Sequence, residues 1–146
     1  MVEPKNPRAA RVLVVDDDDT MRGLIARVLE REGLQTTLAP DGDAALEAAG
    51  TQRFDLIVTD IHMPGKDGLE LLMELRRRAE NVPVIAVSGG AGRGFMSYLP
   101  AAEHFGARTT LTTPLDFGTF LDAVRDALKN PRGAPHRFND SPSALP

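Results

Sequence analysis

The sequence contains no cysteine and no tryptophan. Without cysteine, neither a disulfide framework nor a thiolate-ligated zinc site is possible. Long apolar runs are also missing: stretches such as Val12 to Val15 and Leu56 to Val58 fall far short of the roughly 20 residues that a membrane-spanning helix needs. The opening residues, Met1 to Arg8, lack the apolar centre of a signal peptide, so the default expectation is a cytoplasmic protein with no membrane partner. Nor is there an excess of positive charge. Lys and Arg number 17 against 21 Asp and Glu, a net charge of −4, which leaves no electrostatic footprint for nucleic acid. What remains is ordinary for a soluble domain, 42% hydrophobic and 26% charged over 146 residues, enough for one domain and too short for two good-sized ones.

Against that background, five short apolar runs alternate with helical patterns. Arg11 to Val15 is β-branched and fully apolar after its first residue, as suits a central parallel strand. Met21, Leu24, Ile25, Val28 and Leu29 then lie on one helical face, with Asp18 or Asp19 able to cap the start and Gly33 the end. Gln35 to Ala39 predicts a more polar edge strand, Asp41-Gly42 a turn, and Ala44 to Ala49 a short helix. Leu56 to Thr59 predicts a third strand. A helix follows, with Asp67 as its cap, Leu71, Leu72 and Leu75 as its apolar face and Arg76 to Arg78 as a solvated end. Pro83 to Val87 predicts a fourth strand ending at Ser88, and Gly89 to Gly94 a mobile loop. A helix over Tyr98 to Phe105 tolerates Pro100 only in its first turn and stops at Gly106. Arg108 to Thr112 is the fifth strand, and Phe117, Phe120, Leu121, Val124 and Leu128 mark the last helix. Residues 1–10 read as a flexible leader and residues 129–146, rich in proline, as a disordered tail. Five β-then-α units imply a parallel α/β sheet with right-handed crossovers and helices on both faces, a three-layer doubly wound fold.

In such folds ligands bind outside the carboxyl ends of the strands. That edge collects Asp16 and Asp17 after the first strand, Asp60 after the third and Ser88 after the fourth. Carboxylates this close raise one another's pKa unless a cation intervenes. Magnesium suits the need, because it takes hard oxygen ligands from one or two carboxylates, waters and a phosphate. Asp60 would then be an oxygen nucleophile that forms an acyl phosphate, with Ser88 donating its hydroxyl to a phosphoryl oxygen.

Val12-Leu13-Val14-Val15-Asp16-Asp17, Asp60-Ile61-His62-Met63-Pro64-Gly65-Lys66-Asp67-Gly68 and Val87-Ser88-Gly89 together resemble the receiver domain of bacterial two-component response regulators. The resemblance runs from about Arg11 to Leu128 and implies a flavodoxin-like fold with strand order 2-1-3-4-5. It further implies that Asp60 is the phosphoryl acceptor and that Asp17 and Asp60 ligate Mg²⁺. Asp16 would hold the ion through water, and the backbone carbonyl of His62 would be another ligand. Ser88 matches the family's switch hydroxyl. The implied donor is a phosphohistidine on a sensor histidine kinase or histidine phosphotransfer protein. With no output domain after the receiver in this sequence, the expectation is a single-domain regulator that acts by binding another protein. Two positions depart from the family. Thr113 stands where a Lys precedes a proline at the end of the fifth strand, and Thr110 stands where an aromatic switch residue is usual. A threonine hydroxyl offers only a neutral hydrogen bond, about half as strong as one from an ammonium. The Thr113-Pro114 bond is expected to be cis, as in the family.

Two other functions fit parts of the sequence. A receiver-like scaffold that binds partners without phosphorylation is suggested by Thr113 and Thr110. A haloacid-dehalogenase-type phosphatase is suggested by Asp16-Asp17-Asp18-Asp19-Thr20, which would make Asp16 the nucleophile and Asp18 the general acid.

Overall fold

The computed structural model describes residues 9–61, 68–78, 81–88 and 99–131, with side chains omitted at 99–101. The elements run β1 (Arg11–Val15), α1 (Asp19–Arg31), β2 (Gln35–Ala39), α2 (Gly42–Thr51), β3 (Leu56–Asp60), α3 (Gly68–Arg77), β4 (Val84–Ser88), α4 (Leu99–His104), β5 (Thr109–Thr112) and α5 (Phe117–Lys129). All strand pairs are parallel, and their order is β2-β1-β3-β4-β5. The flavodoxin-like sheet expected from the sequence is therefore the one observed. The leader through residue 8, the Asp67 cap, the Gly89 to Gly94 loop and the tail from residue 132 lie outside the described residues.

Alternation along the buried strands sorts the core into two layers. Leu13, Val15, Ile57, Val84 and Ala86 pack with Leu46 of α2, Leu71, Leu72 and Leu75 of α3 and Ala102 of α4. Val12, Val14, Leu56, Val58, Ile85 and Val87 pack on the opposite face with Ile25 and Leu29 of α1 and Phe120 and Val124 of α5. Burial on both faces explains why β1 and β3 read as unbroken apolar runs.

Capping accounts for several element boundaries. Asp18 accepts from the Thr20 and Met21 N–H groups at the start of α1. Asp41 accepts from the Ala44 N–H, which draws Gly42 and Asp43 into α2 and makes that helix longer than its apolar face alone indicates. Gly106, at φ 97°, ends α4 while the Ala107 N–H bonds back to Ala102. The Thr113-Pro114 peptide is cis.

One expectation is overturned. Arg76 is not a solvated helix end: it is half-buried, and its Nη2 donates to the carbonyls of Val82, 3.2 Å, and Gly106, 3.3 Å. Those carbonyls precede β4 and β5, and a long side chain with a planar fork of donors reaches both.

Candidate functional site

Register brings the chemistry together. Val15 pairs with Thr59, Asp60 with Val87, and Ser88 with Thr112, so the ends of β1, β3, β4 and β5 lie side by side at one edge. The Ile61 N–H donates to Val87, and the Thr113 N–H donates to Ser88 at 3.0 Å, carrying the pairing just past the strands. Ligand oxygens of Asp16, Asp17 and Asp60 all lie within 4.8 Å of one another.

The three acids differ in environment. Asp16 is 7% exposed, Asp17 is exposed, and Asp60 is half-buried. Burial pushes the Asp16 carboxyl above its ordinary pKa, and the nearby charges of Asp17 and Asp18 push the same way. The N–H of Asp18, which donates to Asp16 Oδ1 at 2.9 Å, and the charge of Arg22 oppose them. Magnesium fits this donor set. With bonds of 2.0–2.1 Å, neighbouring oxygens of its octahedron are about 3 Å apart and opposite ones about 4 Å, so a slight closing of the cluster or one bridging water suffices.

Two neighbours hold Asp60. Thr59 donates its hydroxyl to the Asp60 carbonyl at 3.0 Å. Gly68, the first residue of α3, lies so close that an added Cβ would come within 2.2 Å of the Asp60 carbonyl oxygen. The sequence shows Gly68 as part of a motif, and the tertiary structure supplies its reason: only glycine lets α3 begin against the backbone of β3.

Ser88, 3% exposed, closes β4 as a strand residue and not as part of a loop. Thr113 is half-buried and adjoins it through the backbone bond already given. Thr110 is buried, and its hydroxyl donates to Glu103 Oε2 on α4 at 3.2 Å. Asp18 caps α1, its Oδ1 accepting from the Thr20 and Met21 N–H groups, and Asp19 pairs with Arg22 at the surface. His62 lies outside the described residues, as does His136, while His104 is exposed and packs edge-on against Phe105. Sequence reasoning missed Arg22, whose guanidinium Nη1 donates to the Asp16 carbonyl at 2.7 Å. A basic residue three positions after Asp19 in the first turn of a helix signals a surface pair and does not reveal the carbonyl contact.

A family model described as the response regulator receiver domain matches residues 12–125. Sporulation initiation phosphotransferase F of Bacillus subtilis is 34% identical over 119 residues, which cover 82% of this chain and 90% of that protein. The transcriptional regulatory protein FixJ of Azorhizobium caulinodans is 38% identical over 122 residues, covering 84% of this chain and 56% of its own length. Among solved structures, the receiver domain of the Francisella response regulator 1452 superposes with a TM-score of 0.76 at 32% identity, covering 84% of this chain and 99% of that one. No helix among the described residues is long and apolar enough to cross a membrane. Matched by that family model over most of its length, and folded with the strand order expected of it, this chain belongs to the response regulator receiver domains of two-component signalling.

Proposed function

We propose that this receiver accepts a phosphoryl group from a phosphohistidine onto Asp60, with Mg²⁺ required, and signals by contact with another protein. The observation that carries this reading is the gathering of Asp16, Asp17 and Asp60 within 4.8 Å at the carboxyl edge of the sheet. A carboxylate oxygen of Asp60 attacks phosphorus. The bond from phosphorus to the imidazole nitrogen breaks, and that nitrogen keeps the electron pair. Asp17 and Asp60 would hold the ion directly, Asp16 through water, and the His62 carbonyl would complete the protein ligands. When bound, Mg²⁺ supplies the positive charge that offsets the phosphoryl oxygens and the crowded carboxylates. Ser88 donates its hydroxyl to a phosphoryl oxygen. The Thr113 hydroxyl offers a neutral hydrogen bond in place of an ammonium, so the phosphorylated state is less firmly coupled to β5 than a lysine would make it. The donor belongs to a sensor histidine kinase or a histidine phosphotransfer protein.

Intact-mass spectrometry after incubation with acetyl phosphate tests the assignment. A single phosphate adduct is expected that requires Mg²⁺ and disappears in Asp60→Asn. A second reading, a scaffold that works without phosphorylation, is favoured by the Thr110 hydroxyl, which is bound to Glu103 where the family has an aromatic switch. Absence of any adduct in folded protein would overturn the first reading and support the second.

A further inference from the structure

Asp16, the residue after β1, has most of its polar groups committed. Its N–H donates to Ala39 at 3.1 Å, its Oδ1 accepts from the Asp18 N–H at 2.9 Å, and its carbonyl accepts from Arg22 Nη1 at 2.7 Å. The last contact reaches back from the first turn of α1 to the peptide that joins Asp16 to Asp17. A peptide unit is planar, so holding its oxygen also fixes its nitrogen and the Cα that follows, here that of Asp17. The Arg22 fork is itself braced. Nη2 pairs with Asp19, whose side chain is 87% exposed, while that of Arg22 is only 17% exposed.

We propose that Arg22 is a positioning residue for the metal site: by holding the Asp16 carbonyl it sets the orientation of the Asp16–Asp17 peptide and so aims the Asp17 carboxylate at Asp60. This rests on the proposed role of Asp17 as a ligand. Arg22 also brings a positive charge toward a site meant for a cation. Electrostatics alone would make its removal tighten Mg²⁺ binding, because like charges repel. Positioning has the opposite sign, since a loosened peptide must be ordered again each time the ion binds. Losing an outer-shell partner of this kind typically costs ten- to a hundredfold in metal affinity.

Titration calorimetry of the full chain with Mg²⁺ separates the two effects. Arg22→Met, which keeps the apolar stem, is expected to raise the Mg²⁺ Kd about tenfold. Arg22→Gln, with one neutral donor, should fall between Met and the native protein, and Arg22→Lys should recover most of the affinity. A native or lower Kd in Arg22→Met, even with a lower Tm, would overturn the positioning role. If that variant does not fold, Arg22→Gln decides by the same criterion. Failure of the underlying reading looks different: the native chain would bind no Mg²⁺, or Asp17→Asn would bind it as well as the native chain does.

Discussion

The two edges of the sheet treat charge in opposite ways. At the amino edge long cations reach across to acceptors, with one buried donor among the described residues, the Arg108 Nε, left over. Arg108, 4% exposed, donates to Asp126 at 2.8 Å and to the Asn130 carbonyl at 2.7 Å. Arg76 takes the carbonyls of Val82 and Gly106, and the Arg11 guanidinium and backbone N–H bond to Gln52 and Asp55. Burial pushes the Arg76 pKa down, yet its carbonyl partners keep it in place. At the carboxyl edge, three carboxylates crowd together, and burial with like charge raises the pKa of Asp16. The first arrangement closes strand and helix ends. The second leaves a deficit of positive charge that a metal ion and a phosphoryl transfer can use, and stability is given up for it.

Substitutions at both edges test this contrast. The largest loss is expected from Arg108→Met, which keeps the stem but strips the charge from Asp126 and the donor from Asn130. Removing one partner of a buried pair costs about 3 kcal/mol, the low end of the usual range because Asp126 is 33% exposed, and urea unfolding would read it. Phosphorylation should be unaffected. Gly68→Ala should cost about 2 kcal/mol by forcing a Cβ into the Asp60 carbonyl, and unlike Arg108→Met it should also slow phosphate incorporation by mass spectrometry.

Asp16→Asn should act with the opposite sign. The neutral amide still accepts from the Asp18 N–H and no longer carries a buried charge, so the Mg²⁺-free protein should melt a few degrees higher, while the gain in Tm on adding Mg²⁺ should shrink. The pH dependence follows from linkage. With its pKa raised in the folded state, Asp16 holds a proton more tightly when folded, so its contribution to metal-free stability should fall as pH rises from its ordinary value of 3.8 through the folded value. Asp16→Asn should flatten that slope. The smallest effect belongs to a surface pair on neither edge site: Arg125→Ala breaks the 2.9 Å contact to Glu32 between α5 and α1, where both side chains are at least a third exposed, and should cost under about 1 kcal/mol.

Much of this was legible from local signals. The apolar runs at Val12 to Val15 and Leu56 to Val58 mark strands buried on two faces, and the Asp18 cap and the Gly33 and Gly106 stops follow from backbone needs that a sequence states openly. Because parallel βαβ units have one hand, the same reading placed Asp16, Asp17, Asp60 and Ser88 at a common edge. Arg76 and Arg22 were not legible. A long cation in the first or last turn of a helix looks the same in sequence whether it meets water or a carbonyl. Gly68 also needed coordinates, since its constraint is that an added Cβ would come within 2.2 Å of the backbone of another element. The sequence by itself therefore determined the elements, their order and the identity of the acidic cluster, all of which depend on periodicity and chain connectivity. Only the tertiary structure decided which charges are neutralised, because that depends on distances between atoms far apart in the chain.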